Sequence, residues 1–364
     1  MEKNNSIVMV KSVRNSNFEL MRIFLIIFVI IHHFNDPSRN GAFCYVEEAS
    51  FLNRNFIYFI HSLTICAVDT FLLISGYFLC DKMSITVRKI VNLFSVVIIY
   101  SLLILFIRLI LHVSSDNFIN YLIPKNYYAW LYCTVFLLSP FLNLITINLK
   151  GKKFNTFILL IFILFSVLPT LIDFIMLKLG TDSKGISTIS MDGNGRGYTL
   201  INFVLMYFLG CWIKKNESFF DRWKKKYILL YLFFSLLIFL GRFYNLKNTF
   251  NYCNVFVVIQ SITFFQIFRR LKIQNKFINF LAKSVWGIFL LHGGLLNLWA
   301  KKFPVEEVMH SSFGILLLHF SICIIGVFII SFLIDKVFSL IMKPINLIFD
   351  RIPFLNYSIS SKEG

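Results

Sequence analysis

Residues 17–34 read NFELMRIFLIIFVIIHHF, an apolar run of membrane length that carries Glu19 and Arg22 at one end and His32 and His33 at the other. A helix crossing the hydrocarbon core needs roughly 20 mostly apolar residues. The run over 18–34 meets that need, and nine further stretches resemble it, over 56–79, 90–112, 127–147, 155–177, 198–213, 227–246, 252–268, 277–299 and 313–342. The sequence therefore predicts an all-α fold, a polytopic transmembrane helical bundle of about ten spans. The sixth stretch is short, and the last is long enough to tilt, kink or continue along the interface. Composition agrees: 57% of residues are hydrophobic and 15% charged, against about 45–50% and 25% in soluble domains.

The first run has no small-residue cleavage site and is followed at once by other spans, which excludes a removable signal peptide. No extended hydrophilic region is left for a soluble domain, so residues 1–350 are expected to form one membrane domain and 351–364 a tail. The glycine-rich stretch 180–198 reads as an irregular loop rather than a phosphate cradle, since no strand precedes it and no GK[ST] follows.

The net charge of +18 would suggest nucleic acid in a soluble chain. Here the basic residues fall in loops flanking spans. With the N-terminus inside, 23 of the 36 Lys and Arg lie on inner segments and 10 on outer ones, while Arg22, Arg108 and Lys283 lie within spans. The positive-inside tendency then predicts both termini cytoplasmic, in a multi-pass protein of the cytoplasmic membrane. Nucleic-acid binding finds no support. The seven cysteines are scattered, with neither a paired framework nor metal-ligand spacing, and no metal is expected.

Ionisable residues at membrane depth are costly and therefore mark candidate sites. Eleven residues separate Arg22 from His33, a rotation about 20° from three full turns and a rise of about 16 Å, so the two share a helix face while His32 stands about 80° aside. Arg22 lies toward the inner mouth, where a guanidinium suits a phosphorylated donor. His33 lies toward the outer leaflet, where a neutral imidazole can take a proton from a hydroxyl. Snorkelling of Arg22 and an interfacial His33 would explain the same positions. In the second span His61 precedes Asp69 near mid-membrane, for which Arg22 or a protonated His33 could be the partner, unless Asp69 is a structural interhelical partner. His292, in the outer half of the ninth span, stands at a depth comparable to His33, so two histidines could flank one acceptor; a structural hydrogen-bonding role is the alternative. Arg88 and Lys89, at the inner start of the third span, are either donor-phosphate ligands or ordinary anchors.

Four segments carry a family resemblance. ELMRIFLIIFVIIHHF contains an Arg-x10-His pair in the opening helix, Arg22 and His33. VDTFLLISGYFL (68–79) matches an acidic, aromatic and Ser-Gly block. YAWLYCTVFLLSPFLN (128–143) is similar to a Tyr-Trp…Leu-Ser-Pro-Phe-Leu-Asn helix, with Ala129 interposed. SVWGIFLLH (284–292) resembles a late Gly-Ile-Tyr-Leu-x-His segment, with Phe289 in place of Tyr. In this order they resemble acyltransferase family 3, integral membrane enzymes that O-acetylate cell-envelope glycans.

The resemblance implies transfer of an acyl group, acetyl by preference, from cytosolic acyl-coenzyme A to a hydroxyl of an envelope polysaccharide or lipid-linked glycan at the outer face. His33 would be the general base or transient acyl carrier, Arg22 would orient the donor or stabilise developing charge, and Asp69 would support them. His292 and His61 would stand on the acceptor side, with Arg88 and Lys89 available to acyl-CoA. Acyl-CoA, the glycan and the lipid bilayer are the expected partners, and the sequence specifies no oligomeric state. The competing reading is a transporter or exporter of envelope saccharide, in which the same residues line a pathway and no acyl bond forms.

Overall fold

The computed structural model describes residues 15–112, 127–179, 198–223, 226–244, 246 and 248–361. Apart from Tyr198, the glycine-rich stretch 180–198 lies outside these residues. Each of the ten apolar stretches is helical. In chain order the helices are α1 (Ser16–Asn35), α2 (Phe51–Thr64), α3 (Ala67–Leu79), α4 (Val87–Ile110), α5 (Tyr127–Asn148), α6 (Lys152–Phe162) and α7 (Leu168–Lys178). After these come α8 (Leu200–Lys215), α9 (Glu217–Asp221), α10 (Tyr227–Phe243), α11 (Val255–Arg269), α12 (Lys276–Ala282), α13 (Val285–Lys302), α14 (Val305–Met309) and α15 (Phe313–Asp350).

Length separates these helices into two groups and modifies the expectation of about ten spans. Among the described residues six helical segments are long and apolar enough to cross a membrane, or seven when α12 and α13, bent by 50° at Lys283 and Ser284, count as one. The remaining three, α8, α10 and α11, have 16, 17 and 15 residues. At about 1.5 Å per residue they are about 22–26 Å long, short of a hydrocarbon core about 30 Å thick. The outer helices present Leu229, Ile325 and Leu333 to the surroundings, each more than half exposed, which suits contact with lipid tails.

The second stretch, read as one span, is two helices meeting at Ile65 and Cys66. Its hydroxyls bond back along the chain: Ser62 Oγ to the Tyr58 carbonyl at 2.7 Å and Thr64 Oγ1 to the Ile60 carbonyl at 2.9 Å. Such back-bonding loosens the helical ladder. Side chains from other helices serve the carbonyls around the break. Tyr231 on α10 donates to Leu63 O at 2.5 Å, and on α11 Gln260 donates to Ser62 O at 2.8 Å and Ser261 to Cys66 O at 3.4 Å. An interruption in apolar surroundings persists only when its backbone is satisfied in this way. It also sets Asp69 in the first turn of α3, where the positive end of the helix dipole favours a carboxylate.

The central helix α1 packs against α2, α3, α11, α12, α13 and α15. At its N-terminal end Asn17 Nδ2 donates to the Phe268 and Arg269 carbonyls at 3.2 and 3.1 Å, closing the end of α11. The tightest crossing is between α3 and α8. There Gly76 lies against the Tyr207 backbone and Gly210 against the Leu73 backbone, both too close for a Cβ. Small residues permit this approach between apolar helices. After Asp350 the chain turns through Pro353–Asn356 and adds a strand, β2 (Ser358–Ser360), antiparallel to β1 (Ser84–Thr86), with Ile85 opposite Ile359. The tail therefore docks at the foot of α4.

Near the N-terminal end of α1, α8, α9 and α11 are tied by charge. Arg269 and Arg270 reach Asp221 at 2.6 and 3.3 Å, Lys214 reaches Glu217 at 3.0 Å, and Tyr77 donates to Glu217 at 2.5 Å. Burial opposes ionisation of both carboxyls, but it is outweighed by Tyr77, Lys214 and Arg269 at Glu217 and by Arg269 and Arg270 at Asp221. Both are held below their ordinary values. A depressed carboxyl contributes stability that is complete above its unfolded-state value and is lost as pH falls through the folded one. The melting temperature of the detergent-solubilised protein is therefore expected to fall on acidification below about pH 4.5, and Asp221→Asn is expected to blunt that fall. An identical acid response in the variant would contradict this cluster's contribution.

Candidate active site

Helix α1 runs along two cavities. The first, of about 570 Å³, surrounds its C-terminal end and is lined by His32, His33, His61 and His292, with Arg39 and Tyr198. The second, of about 760 Å³, lies nearer the N-terminal end and is lined by Arg22, Lys82 and Lys283, with Glu19, Tyr132 and Trp286. Val29, Val68, Tyr128 and Phe289 wall both. Val29 follows Arg22 by seven residues and precedes His33 by four, so this shared wall stands between the two along the helix axis. Trp286 stacks on Phe289 with ring centroids 5.3 Å apart, and Phe289 lies 5.0 Å from Tyr128, giving the partition an aromatic face.

Arg22 and His33 therefore address separate cavities and do not touch. Arg22 Nη1 donates to Glu19 Oε1 at 2.8 Å. The cation at His33 is Arg39, which the sequence reading assigned to an outer loop. Its Nε donates to His33 Nδ1 at 3.0 Å, and its Nη1 donates to the Gly293 carbonyl and to Asn297 Oδ1, each at 3.0 Å. Local sequence brings it there. Asp36 accepts from the Ser38 amide at 3.0 Å, Pro37 opens a tight turn, and Asn40 adopts a left-handed φ of 53°. The chain thus folds back over the end of α1. Burial lowers the Arg39 guanidinium below its ordinary value, against the attraction of Asp36 at 3.8 Å.

His292 meets His33 edge-on with ring centroids 4.7 Å apart, while His32 and His61 lie 4.0 Å apart as a second pair. Asn35 Nδ2 is 3.3 Å from His61 Nδ1. Asp69 joins neither Arg22 nor His33; of the two expected arrangements it makes the interhelical one. It is fully buried, and its Oδ1 accepts from Asn202 Nδ2 on α8 at 3.0 Å. That amide ties the start of α3 to α8, an arrangement between helices rather than at the histidines.

Arg88 and Lys89 occupy the first turn of α4 and do not line the Arg22 cavity, where Lys82 and Lys283 stand instead. The sequence reading missed Lys82 and Trp286 as site residues and took Lys283 only as a charge within a span. Three cations and five aromatic side chains around one space suit a phosphorylated donor with a planar base. Among the described residues no group of three or more His, Cys, Asp or Glu side chains is placed to hold a metal ion.

Neither the curated proteins nor the solved structures yield a match to the chain. A family model described as an acyltransferase domain matches residues 15–336, which includes every helix that lines the two cavities. The chain belongs to the acyltransferase 3 family and is a multi-pass membrane acyltransferase.

Proposed function

We propose that this acyltransferase is an O-acetyltransferase of the cytoplasmic membrane. It takes acetyl from cytosolic acetyl-coenzyme A and esterifies a hydroxyl of an envelope polysaccharide or lipid-linked glycan at the outer face. The observation that carries the reading is the pair of cavities on α1, cationic and aromatic at one end, histidine-lined at the other, and sharing one wall. In this reading α8, α10 and α11 also cross the bilayer, which thins around them or leaves their ends to polar flanks. Both termini face the cytoplasm, as the 23-to-10 distribution of basic residues favours.

Arg22, with Lys82 and Lys283, holds the donor's phosphates in the inner cavity. The pantetheine arm reaches past Val29 toward His33, where the acceptor hydroxyl enters from outside. His33 stands at the reacting centre with His292, and His61 lines the acceptor space. Asp69 supports the site at one remove, by fixing α3 to α8 through Asn202. Arg88 and Lys89 flank the inner side as anchors near anionic lipid or donor.

The test is the ester-linked acetyl content of the envelope polysaccharide with and without the chain. Acetyl ester is expected to disappear when the protein is removed and to return with the wild-type protein. An unchanged content would overturn the reading, and a loss of surface polysaccharide without change in its acetylation would favour an exporter.

A further inference from the structure

The two histidines that meet at the outer cavity carry their protons on opposite ring positions. A guanidinium only donates, so the 3.0 Å bond from Arg39 Nε fixes the lone pair of His33 on Nδ1. Neutral His33 then holds its proton on Nε2. A backbone carbonyl only accepts, so the 3.2 Å contact between His292 Nδ1 and Ile288 O fixes the proton of His292 on Nδ1. Its Nε2 then carries a lone pair, and that atom is buried without a hydrogen-bond partner among the described residues. One ring therefore offers a donor and the other a vacant acceptor, with centroids 4.7 Å apart on one cavity.

Resting on the acyl-transfer reading above, we infer that His292 is the base that deprotonates the acceptor, that His33 donates to the carbonyl oxygen of the acyl group, and that Arg39 is the positioning residue that sets this division. The acceptor oxygen bonds to the thioester carbonyl carbon as its proton passes to His292 Nε2. The carbonyl π pair moves onto oxygen, where the His33 Nε2–H meets the developing negative charge. When the tetrahedral intermediate collapses, the carbon–sulfur bond breaks and His292 returns its proton to sulfur. The products are an ester and a free thiol. In this state His33 has no available lone pair, so it neither takes the proton nor carries the acyl group.

Donation and proton acceptance respond differently to glutamine, whose amide N–H₂ donates but cannot act as a base. The experiment follows the initial rate at which acetyl ester appears on the envelope polysaccharide in cells making the full-length protein, normalised to folded protein in the membrane. His33→Gln is expected to stay within about tenfold of wild type, whereas His33→Ala falls at least about 100-fold. His292→Gln and His292→Ala are both expected to fall at least about 100-fold. A His292→Gln variant as active as His33→Gln, or a His33→Gln variant as inactive as His292→Gln, would overturn the assignment.

Arg39 supplies a second readout should a histidine variant fail to accumulate. Arg39→Lys, which still donates to His33 Nδ1, is expected to keep most of the rate, while Arg39→Met loses at least about tenfold by freeing the wrong nitrogen. Equal rates in these two variants would also overturn it. A wild-type protein that adds no acetyl ester overturns the acyl-transfer reading itself, whereas an active wild type without this asymmetry overturns only the histidine roles.

Discussion

His33→Ala is expected to lower acetyl transfer to the envelope polysaccharide at least about 100-fold, with the protein still accumulating in the membrane. The catalytic loss follows from position. His33 lines the outer cavity beside His292, four residues along α1 from the wall that the inner cavity shares. An acyl group passing that wall meets His33 at once, and alanine offers neither a donor nor a lone pair. The tolerance follows from the surroundings. His33 borders open space, and among the described residues its hydrogen bond comes from Arg39, which keeps Gly293 and Asn297 as partners when the ring is removed. The measurement pairs ester-linked acetyl with membrane protein level and elution from a sizing column in detergent. Undiminished acetylation would remove His33 from the reacting centre.

Gly76→Val is expected to cost about 3 kcal/mol of stability, the upper end for overpacking, because the obstacle is backbone rather than a movable side chain. A Cβ at Gly76 would collide with the Tyr207 carbonyl, and the reciprocal position, Gly210, already lies against the Leu73 carbonyl. The two helices can make room only by separating. Separation would strain the Asn202 bond to Asp69 at 3.0 Å, made across this crossing, and the Tyr207 hydroxyl bond that ties α8 to Asn143 Oδ1 on α5 at 2.9 Å. It would also uncover Phe203 and Leu205, which are fully buried. Thermal unfolding in detergent checks this, with Gly314→Ala as the control, since a Cβ at Gly314 meets nothing within 4 Å. A Gly76→Val protein that melts with the wild type would show that the α3–α8 contact is not a constraint.

What could be read from the sequence was what lies on one helix. Arg22 and His33 are on one face by helical period alone, and the cavities they line share Val29 between them. The helical character of all ten apolar stretches follows from the same kind of local reading. What stayed hidden depends on distant parts of the chain. Hydropathy cannot reveal the break at Ile65 and Cys66, because it survives through Tyr231, Gln260 and Ser261, well over a hundred residues away. For Asp69 the sequence leaves open a cation or an interhelical partner, and the partner is the neutral Asn202, 133 positions on.

Arg39 was missed for a related reason. Its six-residue spacing from His33 is not a helical one, and the Asp36-Pro37 turn that carries it back was counted as loop. Lys82 reads as a loop charge and Lys283 as a charge within a span, and only the convergence of the turn after α3 with the α12–α13 bend places them with Arg22. The apolar stretches over 227–246 and 252–268 also exceed α10 and α11, because apolar residues continue past the helix ends into turns.

In the proposed reaction acetyl passes along α1 from one side of the membrane to the other. Purified protein in sealed vesicles, sorted so that the termini face outward, tests it directly when labelled acetyl-coenzyme A is supplied outside and the host's envelope glycan is enclosed. Labelled ester is expected on the enclosed glycan with wild-type protein and none with His33→Ala. Absence of labelled ester with the wild type, or ester formed only when donor and glycan are on the same side, would contradict it.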